Sequence, residues 1–124
     1  MTRTRRSAKS AGTAHETAIV RYLAEHVDPA IERRARNGAK DRGDVSGLRA
    51  HGLGVVVEAK NFGGQIKAAE WMGEAEIERG NADALAGVVV AKRKGTTDPG
   101  SQWVLTTVRE LVALITGQRP EEEK

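Results

Sequence analysis

The sequence predicts an α/β fold in which one mixed β-sheet is flanked by helices. Three observations lead to this class. Segments with helical spacing of apolar residues alternate with short Val-rich segments, glycines separate the extended pieces, and 124 residues fit a single compact domain. The absence of cysteine excludes disulfide scaffolds, thiolate zinc sites and cysteine nucleophiles.

The first half of the chain predicts an arm, a helix and three strands. Residues 1–13 are rich in Arg, Ser and Ala and contain no acidic residue, which indicates a disordered basic arm. Apolar residues recur at helical spacing over residues 14–27, and Asp28-Pro29 ends this helix. Short extended segments separated by glycines then predict strands at residues 31–37, 43–48 and 54–60, the last two as a hairpin-like pair.

The second half predicts a helix, two strands and a final helix. Ala68, Trp71, Met72 and Ala75 recur on one side of a helix over residues 65–79. A buried strand follows at 85–91, a basic loop at 92–100, a strand at 102–106 and a helix at 108–116. Residues 118–124 form an acidic tail, so the domain covers residues 14–117 in the order α-β-β-β-α-β-β-α.

The charge distribution points to a polyanionic partner. The net charge is +3, but residues 1–60 hold 12 Lys and Arg against 7 Asp and Glu, whereas residues 61–124 hold 8 against 10. This asymmetry favours nucleic acid over a membrane surface, since no basic amphipathic helix with bulky apolar residues is present. No apolar run is long enough to span a membrane, and we expect a soluble, cytoplasmic protein.

An acidic cluster is expected within this basic half. Glu58 and Lys60 share one face of a strand that follows a valine run, and Asp44 would lie beside them if the two neighbouring strands pair. Glu16 lies on the core-facing stripe of the first helix. Charged residues at such positions are costly unless they are paired or bind a metal. The alternative interpretation is a surface ion pair on a sheet edge.

Carboxylates without nitrogen or sulfur ligands suit Mg²⁺ or Mn²⁺. A metal ion held by carboxylates can activate water and offset charge on a phosphate, and a nearby lysine can orient the water or stabilise the phosphate. Basic residues flank the cluster on both sides and are candidate phosphate contacts: Arg33, Arg34, Arg36, Lys40, Arg42, Lys92, Arg93 and Lys94.

The order of a helical Glu, an Asp and Glu-x-Lys after a hydrophobic strand resembles the PD-(D/E)-x-K nuclease superfamily. Residues 38–47 and 55–61, with Trp71, Ala75-Glu76 and residues 88–95, resemble the Holliday junction resolvase-like proteins of actinobacterial phages and prophages, which are similar to archaeal Holliday junction resolvases. The resemblance implies a restriction-endonuclease-like core in a protein of a bacterial or phage-infected cell. Gly43 precedes Asp44 where the superfamily name has proline.

The resemblance also implies roles for individual residues. Glu16, Asp44, Glu58 and Lys60 would be catalytic, and the metal would be held by Asp44, Glu58, the carbonyl of Ala59 and Glu16. The expected function is Mg²⁺-dependent cleavage of four-way DNA junctions by a homodimer, since two opposed strands require two sites. Two alternatives stay open: a nuclease of the same superfamily acting on flaps, forks or duplex, and a non-catalytic basic DNA-binding module.

Overall fold

A computed structural model describes residues 4–35 and 40–120, and it has a mixed α/β fold with three helices and a mixed β-sheet. The predicted α/β class is therefore confirmed. The helices are α1 (Arg5–His26), α2 (Ala68–Ala82) and α3 (Val108–Thr116). The strands are β1 (Glu32–Arg33), β2 (Val45–Ser46), β3 (Arg49–Ala50), β4 (Leu53–Lys60), β5 (Ala86–Ala91) and β6 (Trp103–Leu105), with a 3-10 turn at Pro99–Ser101.

The main sheet has the strand order β3-β4-β5-β6. Strands β4 and β5 are parallel and are joined through α2, whereas β3 and β6 run antiparallel to their neighbours. Because β4 and β5 are parallel, their carboxyl ends meet at one edge, where the N–H of Lys92 donates a 2.8 Å hydrogen bond to the carbonyl of Lys60. Any side chain at the end of β4 therefore lies near the loop that follows β5.

Helices cover both faces of the central strands. On one face, Val57 of β4 and Val88 and Val90 of β5 pack with Ile19 and Val20 of α1. On the other face, Val89 and Ala91 of β5 pack with Trp71 and Ala75 of α2. All six residues of β5 are buried, as expected for a strand covered on both sides. The Val57 side chain faces α1, so the β4 side chains on the opposite face of the sheet are turned towards α2.

Helix α1 begins at Arg5 rather than near Ala14. Thr4 is its N-cap: the Thr4 hydroxyl accepts a hydrogen bond from the N–H of Ser7, and the Ser7 hydroxyl accepts one from the N–H of Thr4. This reciprocal cap, together with the Arg, Lys and Ala residues that follow it, extends the helix through the expected basic arm. Residues 1–3 of that arm and residues 121–124 of the expected acidic tail lie outside the described residues.

The strand expected at residues 43–48 is divided in the structure. Gly47 has a φ of +87°, and a Cβ there would lie 3.2 Å from the Ala30 carbonyl oxygen. The chain therefore turns at a glycine, where the residues just before β1 pass close to it. Strand β2 before the turn pairs with β1, and β3 after it pairs with β4. Four strands therefore precede α2 instead of three. Within the described residues, the strand expected at 31–37 is restricted to β1. Residues 36–39 are not among the described residues.

Candidate active site

Asp44 is fixed against the central strand by its backbone and its side chain. Its N–H donates a 2.9 Å hydrogen bond to the carbonyl of Val57, and its Oδ2 accepts a 2.8 Å hydrogen bond from the N–H of Ala59. Gly43 makes this approach possible, because a Cβ at its φ of +93° would lie 2.9 Å from Val56 Cγ1 and 3.1 Å from the Val57 carbonyl oxygen. The absence of a side chain at Gly43 thus lets Asp44 lie next to β4.

Glu58 and Lys60 lie on the face of β4 that is turned towards α2. Lys60 Nζ is 3.9 Å from Glu58 Oε1, as expected for neighbours on one face of a strand, and 2.6 Å from Oε2 of Glu74 on α2. Glu58 is only 5% exposed. Helix α2 therefore supplies the main partner of Lys60 and encloses Glu58 against the sheet.

A third buried carboxylate, Glu78, comes from the next turn of α2. It is 5% exposed, and carboxylate oxygens of Asp41, Glu58 and Glu78 all lie within 4.8 Å of one another. These three carboxylates could hold a metal ion, with oxygen ligands of the kind that Mg²⁺ and Mn²⁺ accept. Asp41 is at the exposed edge of the group, and its Oδ1 accepts a 2.9 Å hydrogen bond from the N–H of Gly43.

Neither Glu78 nor Asp41 is among the site residues predicted from the sequence. A signal for Glu78 was present, because Trp71, Ala75 and Glu78 recur at i, i+4 and i+7 and so lie on the buried stripe of α2. A carboxylate on such a stripe is as unusual as one on the core face of a strand. Asp41 carries no comparable signal, since it lies in a polar loop.

Burial and mutual repulsion change the acidities of these groups strongly. Burial raises the pKa of Glu58 to about 10, and the adjoining carboxyl of Glu78 and the charge of Asp44 act in the same direction. Burial also raises the pKa of Glu78 to about 7 and raises the pKa of Asp44, for which the hydrogen bond from Ala59 is a partial offset. The cluster cannot carry all its negative charges at neutral pH without a proton or a cation between them.

Lys60 remains positively charged in this setting. Burial alone would lower its pKa, but the hydrogen bond with Glu74 and the negative charges of Glu58 and Glu74 raise it above the usual value. An ammonium group at the rim of a carboxylate cluster can bind a phosphate oxygen or orient a water molecule.

Glu16, the expected helical member of the site, is bound elsewhere. Its Oε2 lies 2.7 Å from Nη2 of Arg33 and accepts a 2.9 Å hydrogen bond from Nε of the same side chain. Its charge adds to the effect of burial in raising the pKa of Asp44. Among the described residues, however, the group with metal-ligand spacing contains neither Glu16 nor Asp44. The backbone N–H of Ala59 binds Asp44, and a metal-binding role for its carbonyl stays a prediction.

Some of the basic side chains predicted to contact phosphate already interact with other groups of the protein. Arg33 is paired with Glu16, Arg93 stacks 4.4 Å from the ring centre of Trp103, and Lys92 Nζ donates to the carbonyls of Arg93 and Thr96. Lys40, Arg42 and Lys94 are exposed, Arg34 is half-buried, and Arg36 lies outside the described residues.

Two of the exposed cations belong to loops that adjoin residues of the site in the chain or in space. Arg42 adjoins Asp41 in sequence, and Lys94 packs against Gly64, where an added Cβ would lie 2.9 Å from Lys94 Cβ. Gly64 belongs to the loop that follows Lys60. The basic loop after β5 therefore packs against the loop after β4, near the edge of the sheet where Lys60 lies.

The fold and the site together define a mixed α/β protein whose central parallel strand and second helix enclose a carboxylate cluster with a lysine at its rim. Comparisons with protein-family models, with curated proteins and with solved structures find no match. Among the helices in the described part of the chain, none has the length and apolar character needed to cross a membrane.

Proposed function

We propose that the protein is a divalent-metal-dependent DNA endonuclease that cleaves four-way junctions. The observation that carries this proposal is the arrangement around β4: Glu58 and Lys60 share one face, with 3.9 Å between Nζ and Oε1, and Asp44 is hydrogen-bonded to the intervening Ala59. Buried carboxylates beside a charged lysine, with basic loops nearby, are better explained by a site for phosphodiester hydrolysis than by a surface ion pair.

The residues fit a hard divalent ion. Glu58 Oε2 and Glu78 Oε2 are buried and have no hydrogen-bond partner among the described residues, so both are available as ligands. Asp44 and Glu58 are the ligands that the resemblance implies, and Glu58 is the one that lies 3.9 Å from Lys60 Nζ. When bound, the ion supplies Lewis acidity that lowers the pKa of a coordinated water and offsets phosphate charge.

The chain's own groups have separate roles in the proposed reaction. The hydrogen bond from Ala59 orients the Asp44 carboxylate, and the ammonium of Lys60 binds a phosphate oxygen as negative charge accumulates there. A water oxygen forms a new bond to phosphorus, the bond from phosphorus to one sugar oxygen breaks, and the proton lost by water passes to that leaving oxygen through solvent. Exposed Lys40, Arg42 and Lys94 bind neighbouring phosphates.

The proposed substrate implies a second copy of the chain. Symmetric cleavage of two opposed strands at a junction needs two equivalent sites, so we propose that the active form is a homodimer. Light scattering should then give a mass of twice 13.3 kDa at the protein concentrations that support cleavage.

The test is cleavage of a synthetic four-way junction in the presence of Mg²⁺, with matched duplex and flap substrates. Glu58→Gln and Lys60→Ala should each abolish cleavage while junction binding persists, and Glu25→Gln, an exposed change on α1, should cleave like the wild type. Equal rates on junction and duplex would replace the junction assignment with a nuclease of broader substrate range. Junction binding without cleavage by the wild type would indicate a DNA-binding module instead.

A further inference from the structure

We propose that Asp41, Glu58 and Glu78 bind a divalent cation of the Mg²⁺ or Mn²⁺ type, so that helix α2 supplies a metal ligand through Glu78. This inference rests on the proposed function for the role of the ion in catalysis, but not for the binding of the ion itself. It assigns ligands that the resemblance does not include, one from the loop before β2 and one from α2.

The first argument is geometric. One oxygen from each carboxylate lies within 4.8 Å of the others, a spacing that a single oxygen-ligated cation can bridge. The three residues come from a loop, a strand and a helix that fold together here, so the arrangement is not a run of acidic residues along one solvated surface. Asp41 is exposed, which gives an ion from solvent a route to the two buried oxygens.

The second argument is independent of the spacing. Glu58 and Glu78 are each 95% buried, and Oε2 of each has no hydrogen-bond partner in the part of the chain that the structure describes. A buried carboxylate oxygen without a partner is unfavourable, and such groups normally have a bound ion, a water or a proton. Lys60 lies near the other oxygen of Glu58, Oε1, and is more closely bound to Glu74.

The third argument concerns Glu16, the carboxylate that the resemblance would use instead. Both Nε and Nη2 of Arg33 lie within 2.9 Å of its Oε2. Binding of an ion by Oε2 of Glu16 would compete with these two charge-assisted contacts. Glu78 has no such competitor for its Oε2 among the described residues, so it is the better ligand.

Binding of Mn²⁺ to the full-length protein tests this assignment directly. Free Mn²⁺ is measured by its paramagnetic resonance signal after the protein has been stripped of metal with a chelator. Glu78→Gln and Asp41→Asn should each weaken Mn²⁺ binding by about tenfold or more, because each removes a charged ligand. Glu70→Gln, at an exposed position on the same helix, and Glu16→Gln should bind within about twofold of the wild type.

Thermal unfolding provides a second readout and shows whether each variant is folded. Mn²⁺ should raise the unfolding temperature of the wild type and of Glu70→Gln, and this rise should be lost in Glu78→Gln. The inference is overturned if the wild type binds no Mn²⁺, or if Glu78→Gln and Asp41→Asn bind it as tightly as the wild type does. Loss of binding in Glu16→Gln with retention in Glu78→Gln would also overturn it.

The failure of this inference and the failure of the proposed function give different results. Junction cleavage that depends on Glu58 but proceeds in Glu78→Gln, with undiminished Mn²⁺ binding, overturns the ligand assignment and leaves the nuclease intact. Mn²⁺ binding that requires Glu78, with no cleavage of any DNA substrate, supports the ligand assignment and removes the nuclease.

Discussion

Lys60 is bound more closely to Glu74 on α2 than to Glu58 on its own strand, with 2.6 Å to Glu74 Oε2 against 3.9 Å to Glu58 Oε1. The Glu74 side chain is 42% exposed, so this partner can be changed without opening the core. The contact links the helix to the residue that we propose binds phosphate. Glu74 is therefore a positioning residue for Lys60.

Replacing Glu74 by Gln should lower the pKa of Lys60, because the Glu74 carboxylate is one of the groups that raise it. The alkaline limit of junction cleavage should move to lower pH by the same amount. Stability should change by less than about 1 kcal/mol, as is usual for a solvent-exposed ion pair. A nitrogen-detected NMR titration of the Lys60 amine measures the shift, and Glu70→Gln is the matched control. An unaltered lysine titration would show that Glu74 does not control Lys60.

Replacing Glu58 by Gln should stabilise the metal-free protein at neutral and alkaline pH. In the folded state the pKa of Glu58 is about 10, above its ordinary value of 4.5. A raised folded-state pKa contributes stability that is complete below about pH 4.5 and is lost as the pH rises towards 10. The free energy of unfolding of the wild type should therefore fall, relative to that of Glu58→Gln, by on the order of 1 kcal/mol for each pH unit between about 5 and 7. Denaturant unfolding in chelator over this pH range measures the difference.

Glu110 is the control for that experiment, because it is also a buried glutamate but has partners for both oxygens. Oε1 accepts hydrogen bonds from the N–H of Gly87 and from Arg119, and Oε2 lies 3.0 Å from Arg119 Nη2. Glu110→Gln should destabilise the protein by about 1–3 kcal/mol, since it removes the charge of a buried carboxylate that half-buried Arg119 contacts. If the two substitutions changed stability in the same direction, the contrast between an unpaired and a paired carboxylate would be wrong.

Replacing Gly43 by Ala should destabilise the fold and move Asp44 away from β4. The new methyl group would meet Val56 Cγ1 at 2.9 Å in a backbone conformation with φ of +93°. Gly52→Ala is the matched control, because Gly52 also has a positive φ but an added Cβ there meets nothing within 4 Å. Gly43→Ala should lower the free energy of unfolding by about 1–3 kcal/mol more than Gly52→Ala does. Both substitutions carry the penalty of a positive φ, and Gly43→Ala adds the steric overlap with Val56. Urea unfolding of the two variants compares them, and equal losses of stability would contradict the close approach.

The parts of the fold that follow from periodicity were predictable. Helix α3 has the predicted bounds, and α2, β5 and β6 lie within three residues of theirs, because their apolar patterns are regular and turn residues flank them. The division of residues 43–48 into β2 and β3 was not predictable in the same way. It depends on the approach of the segment at Ala30 to Gly47, a contact between chain segments that are distant in sequence.

The same distinction applies to the site. Glu58, Lys60 and Asp44 stand out because charged residues interrupt or neighbour a valine-rich strand, and the structure brings these three together. Glu78 was missed because a helix tolerates charge on most positions, and only its register relative to Trp71 indicates burial. The pairing of Glu16 with Arg33 depends on how α1 packs against β1, which local sequence patterns do not determine.

The proposed metal-binding role of Glu58 and Glu78 sets function against folding within one small domain. Neighbouring positions of the sheet and of α2 carry Val, Ala and Trp, which favour the packed state, whereas these two carboxylates oppose it unless something neutralises them. A sequence selected for stability alone would have apolar residues there. The cluster is a point of local frustration in an otherwise consistent sequence, and such points are where a protein retains what it needs to act on other molecules.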